Sequence, residues 1–153
     1  MIRAAIFAGT LFLSSMSYAS FEPPVCALEG TECDFYCDSA LRLDCPKDNY
    51  LVHFGFRYCR SFLKTEHKYS EHGQEVLKNI RACLITSLAQ KNVGCDNAED
   101  VGFASHVGCY IENGFCSLGF SDRSRILWTV RQQIANPKFQ RVSAKILNAC
   151  ASL

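Results

Sequence analysis

The sequence predicts an all-α fold, a disulfide-stapled helical domain of about five helices. Three observations predict it. Apolar side chains recur at three-to-four spacing in successive segments. Alternation of the β type persists nowhere. All ten cysteines fall between Cys26 and Cys150, in a chain that opens like an exported one. An even number of cysteines in that setting reads as a framework of five bonds. At roughly 2–4 kcal/mol each, five bonds outweigh the net stability of an ordinary domain. Such a domain tolerates an irregular core.

Residues 1–19 read as a signal peptide. Arg3 is the only charge before Glu22, "AAIFAGTLFL" (Ala4–Leu13) supplies the apolar stretch, and "SYA" (Ser17–Ala19) is a small-x-small cleavage site. That stretch is too short to span a bilayer, and no later one is longer. Residues 20–153 then form a single domain, secreted to the extracellular space, or to the periplasm of a bacterial source.

"FEPPV" (Phe21–Val25) is an extended leader, because proline disfavours helix at the residue before it. From Cys26 to Cys45 four cysteines crowd together, predicting short helical turns held by bonds. "NYLVHFGFRYCRSFLKTE" (Asn49–Glu66) has the spacing of an amphipathic helix with Asn49 as N-cap, although Gly55 costs about 1 kcal/mol in its interior. Glu71–Gln90 gives the clearest helix, with Val76, Leu77, Ile80, Cys83, Leu84, Ser87 and Leu88 opposite Lys78, Arg81 and Gln90. Asp96 or Asn97 caps the next, which runs to about Asn113 with Glu99 and Asp100 complementing its dipole. Ser121 or Asp122 caps a helix carrying Ile126, Leu127, Trp128, Val130 and Ile134. Asn136-Pro137 marks a turn or a helix start, and Lys138–Cys150 presents Phe139, Val142, Ile146, Leu147 and Cys150.

Charge names no partner. The chain carries 16 basic and 15 acidic side chains, and loss of Arg3 balances them. No basic stripe suggests nucleic acid and no polybasic helix suggests a membrane surface. Catalytic signatures are missing too. There is no G-x-S-x-G, P-loop, H-E-x-x-H or EF-hand loop. The His-Asp dyad and glycine-rich calcium loop of a phospholipase A2 are also lacking, since no Asp follows His53, His67, His72 or His106. His67 and His72 are about 140° apart on a helix and read as solvated. Asp34 and Asp38, one turn apart, are able to share a calcium ion but read better as solvated carboxylates near a helix start. Cys33-x-x-x-Cys37 reads as members of two structural disulfides rather than a metal clip or a redox pair. The expectation is a non-enzyme with no cofactor and no metal.

"CYIENGFCSLGF" (Cys109–Phe120) leaves a question open. On one continuous helix its two cysteines would sit about 10 Å apart, beyond the roughly 4.4–6.8 Å between bonded Cα atoms. A break at Asn113-Gly114 loosens that argument. Eight cysteines already allow about 105 connectivities, so counting ten decides nothing.

Three stretches resemble a known family. "RYCRSFLKTEHKYSEHGQEVLKNIRACL" (Arg57–Leu84) resembles the centre of the stanniocalcin family, where a Cys-basic-Ser-Phe-Leu run precedes an amphipathic helix and a second cysteine. "CYIENGFCSL" (Cys109–Leu118) is similar to that family's Cys-Tyr…Cys-Ser-aliphatic segment. "VSAKILNAC" (Val142–Cys150) is similar to the helix leading into its tenth cysteine. The gaps Cys59–Cys83, Cys95–Cys109, Cys109–Cys116 and Cys116–Cys150 agree as well, and the first four cysteines match in order and number but less in spacing.

The resemblance implies the pairs Cys26–Cys37, Cys33–Cys59, Cys45–Cys95, Cys83–Cys109 and Cys116–Cys150. It also implies a secreted hormone or regulatory factor that binds an extracellular protein, a receptor or a protease. Its role would lie in calcium and phosphate homeostasis or in inhibiting an extracellular metalloproteinase. It supplies no catalytic residue. Family members usually carry an eleventh cysteine past the tenth, which links two subunits. Here the chain ends three residues after Cys150, so a covalent dimer of that kind is not expected and a non-covalent homodimer stays open. The alternative is a secreted effector or defence protein that turns the same scaffold on a foreign target.

Overall fold

The computed structural model describes Cys26 and residues 28–152. The signal peptide, its cleavage point and the extended leader lie outside the described residues. Six α-helices follow one another: α1 (Asp34–Arg42), α2 (Arg57–Thr65), α3 (Glu71–Ala89), α4 (Ala98–Glu112), α5 (Phe120–Thr129) and α6 (Pro137–Ala151). A π-helical segment, Leu51–Phe56, runs into α2, and 3₁₀ turns occupy Glu66–Lys68, Phe115–Ser117 and Arg131–Gln133. Among the described residues there is no strand, and no helix is long and apolar enough to cross a membrane. The fold is all-α and disulfide-stapled.

The crowded N-terminal stretch forms a regular helix where isolated turns were expected. Asp34 makes it possible. Its Oδ2 accepts the backbone N–H groups of Glu29, Gly30 and Thr31 at 3.0, 2.7 and 3.1 Å. Burial pushes this carboxyl's pKa up, but those N–H groups and the Thr31 hydroxyl outweigh it and hold the pKa below the usual value. Asp34 is therefore buried and occupied, which corrects its reading as a solvated carboxylate. Asp38 is exposed.

One close approach fixes the glycine in the π-helical segment before α2. A Cβ on Gly55 would lie 2.3 Å from Cδ1 of Tyr36, so only glycine lets α1 seat its ring there. Asn49 keeps the capping role predicted for it: Oδ1 accepts the Leu51 N–H at 3.0 Å, and Nδ2 donates to the Cys95 carbonyl at 2.8 Å.

Ser70 caps α3 through the Gly73 N–H. Asp122 does not cap α5, whose N-cap position is Gly119. Instead the Asp122 carboxylate is buried and accepts both the N–H and the hydroxyl of Ser70. One acid thus ties the start of α5 to the start of α3. Asn136 caps α6 through Lys138 and Phe139 N–H groups, with Pro137 at the first helical position. Packing then runs α1 on the π-segment, α3 on α4, and α4 on α6.

Five disulfides cross these contacts, with Cα atoms 5.0–5.6 Å apart: Cys26–Cys37, Cys33–Cys59, Cys45–Cys95, Cys83–Cys109 and Cys116–Cys150. Cys109 in α4 reaches back to α3, and Cys116 reaches forward to α6. Gly114 between them has φ +90°, which breaks the helix.

Candidate functional site

The histidines and acids singled out in the sequence do not converge. His53, His67 and His72 are exposed, and His72 Nε2 lies 2.8 Å from the Ser117 hydroxyl. Glu99 and Asp100 are more than dipole partners, because Lys138 from α6 bridges both at 2.6 and 2.7 Å. Among the described residues no three His, Cys, Asp or Glu side chains gather as a metal-binding group.

His106 differs from the other histidines. Nδ1 is 2.7 Å from the Gly102 carbonyl, so that nitrogen carries the proton and donates. Its ring belongs to an aromatic file through the core. Tyr50 stacks on Phe54 (5.1 Å), Phe54 meets Phe103 (5.1 Å), and Phe103, His106, Tyr110 and Phe115 follow at 5.3–5.7 Å. Burial lowers the His106 pKa and outweighs the opposing hydrogen bond. It also pushes the Tyr110 hydroxyl up to about 12, helped by Tyr69. Both groups stay neutral at physiological pH, so the file is a structural column rather than an acid–base pair.

Arg81 carries a second correction. Helical periodicity put it on the polar face of α3, yet it is 5% exposed. Glu32 and Glu66 reach over it from outside the helix, at 2.6 Å on Nε and 2.8 Å on Nη2. Burial works against the charged guanidinium, but the two carboxylates prevail and raise its pKa. Its Nη1 is buried with no hydrogen-bond partner.

Two adjoining spaces open beside this frame. The first is a groove of about 770 Å³ where α5 faces the end of α2 and the residues after it. Tyr69 is buried in it, while Phe120 and Trp128 stand 89% and 68% exposed. Lys68, Arg125 and Arg131 also line it, and no carboxylate does. None of these three cations forms an ion pair among the described residues. Arg131 places its guanidinium 4.3 Å from the centre of the Trp128 ring.

The second space shares Phe120 and Ser124 with the groove and reaches into the core as an apolar cavity of about 280 Å³. Phe62, Leu77, Ile80 and Ile146 are among its buried walls. Leu127 and Leu147 line it and remain more than half exposed.

Sequence reasoning missed both spaces. Leu127, Trp128 and Ile134 were assigned to one helix, but α5 ends at Thr129, before Ile134, and all three side chains are more than half exposed. The signal was there in Trp128 and Arg131, a tryptophan and an arginine three residues apart at a helix end. No protein-family model matches the chain, and neither a curated protein nor a solved structure does.

Proposed function

We propose that the protein is an exported, stanniocalcin-like regulatory factor that acts by binding another protein, without catalysis. The observation that carries the binding reading is the α2/α5 groove. Tryptophan, tyrosine and arginine dominate the few residues that hold protein interfaces together. Here they line a groove with three unpaired cations and no acid. Such a surface suits a partner segment that carries carboxylates beside an apolar or aromatic anchor.

Five disulfides and no membrane-spanning helix among the described residues support an oxidising, extracellular setting. The endocrine part of the proposal rests on the sequence resemblance: a hormone-like role in calcium and phosphate homeostasis, or inhibition of an extracellular metalloproteinase. A non-covalent homodimer is compatible with it.

The test is a pull-down from the native extracellular fluid, with and without chelator, using the wild-type chain and an R125E/W128A variant. The expected result is one captured protein that the variant retains at least tenfold less well. Equal capture by both chains overturns the groove as the partner surface. Purified protein that binds nothing there and leaves calcium and phosphate handling unchanged overturns the regulatory reading.

A further inference from the structure

The cavity beside the groove has a chemistry that protein docking does not use. Its volume of about 280 Å³ is nearly twice the roughly 150 Å³ at which an apolar protein cavity already takes up benzene. At roughly 30 Å³ per water-sized group, it holds about nine carbon atoms. Its walls are aromatic and aliphatic, from Phe54 and Phe103 to Leu77 and Ile146. A void so lined gains dispersion and hydrophobic contacts only when an apolar occupant fills it.

Two guanidinium groups also line it, and each keeps a buried N–H without an acceptor: Arg81 at Nη1 and Arg123 at Nε. Buried unpaired donors are costly, and an occupant with acceptor oxygens relieves that cost. The two arginines are not equivalent. Glu32 and Glu66 already bracket Arg81, so another anion there would meet two carboxylates. Arg123 is in no ion pair among the described residues. Its Nη2 donates to the Cys116 carbonyl and its guanidinium lies 5.7 Å from the centre of the Phe115 ring, which leaves its charge uncompensated. The Ser124 and Ser143 hydroxyls line the cavity as well. Phe120, Leu127 and Leu147 extend the apolar lining to the solvent face.

We propose that this cavity binds a single-chain amphiphile with a carboxylate head, of the fatty-acid class, with the tail among the core aromatics and the head on Arg123. A planar fork suits a carboxylate better than a point charge does, because two N–H groups meet two oxygens. The inference stands apart from the protein-binding reading, since it needs neither Trp128 nor the groove cations.

Isothermal titration calorimetry on the full exported chain tests it, with sodium decanoate below its micelle concentration as the probe. One decanoate per chain is expected, and affinity should rise roughly three- to fourfold per methylene from hexanoate to decanoate. R123Q should weaken decanoate at least tenfold while leaving decanol unchanged. V142F, which fills the cavity, should abolish both. If V142F does not fold, the chain-length series on the wild type still measures tail burial. No binding of decanoate by the wild type overturns the proposal. So does decanoate affinity that is independent of chain length, or equal in wild type and R123Q.

Discussion

Residues 26–109 and 115–151 solve the problem of stability in different ways. The first region holds four of the five disulfides, and Cys33, Cys37, Leu51 and Phe56 within it are wholly buried. The second holds one disulfide and, among the described residues, five of the eight large exposed hydrophobic side chains: Phe120, Leu127, Trp128, Ile134 and Leu147. A helix pair this short cannot ordinarily leave so much apolar surface in water and stay folded. Here α6 is pinned by Cys116–Cys150 and packed along α4, so α5 is free to present its apolar side chains outward. Covalent framing in one region goes with exposed apolar surface in the other.

The largest effects should come from the bonds. C33A/C59A should cost about 4–5 kcal/mol, through loop entropy plus lost contacts at a fully buried sulfur. C116A/C150A should cost just under about 4 kcal/mol, nearly all of it loop entropy. Denaturant unfolding measures both, and hydrogen exchange should show the second variant loosening α5 and α6 alone. Equal loosening throughout would break the comparison.

Next comes the buried charge. E32Q/E66Q leaves the Arg81 guanidinium inside without a counter-ion and should destabilise by about 3–5 kcal/mol. R81M should cost less, about 1–2 kcal/mol, because its two carboxylates can turn to water from positions 41% and 28% exposed. Chemical denaturation of the two variants side by side decides the order.

Smaller still is the contrast between glycines. G55A in the first region drives a methyl into the Tyr36 ring and should cost about 1–3 kcal/mol. G119A in the second meets nothing within 4 Å and should fall within about 0.5 kcal/mol of wild type. Thermal unfolding resolves both.

The mildest effect is on pH dependence. Burial lowers the folded-state pKa of His106, so the unfolded chain takes up a proton first as pH falls. The stabilisation is complete above the unfolded value of about 6.5 and is lost progressively below it. Melting temperature should therefore be flat above neutrality and decline as pH falls below about 6.5. H106F should remove part of that slope. An identical slope in the variant would take His106 out of the account.

Much of the fold was legible because local rules decide it. The α3 and α6 helices follow from periodicity and caps, and their observed limits fall within a residue or so of those expected. What could not be read depends on partners distant in sequence. Gly55 is needed because Tyr36 from α1 packs where its Cβ would be. Arg81 is inside because Glu32 and Glu66 come to it from other elements. Asp122 looked like a cap for its own helix and serves Ser70 at the start of another. The groove joins residues near 65 to residues near 125, and no linear pattern encodes that meeting.

The order of the five bonds along the chain has one last consequence, for cleavage. The loops 26–37, 33–59, 45–95 and 83–109 overlap like links, so a single proteolytic cut anywhere inside that span leaves both fragments joined. The loop 116–150 protects its own span in the same way. Only between Cys109 and Cys116 does no bridge pass over the backbone. A single cut in that stretch, as at the Asn113-Gly114 turn, separates the polypeptide into two covalently independent pieces without a reductant, and a cut elsewhere between Cys26 and Cys150 does not.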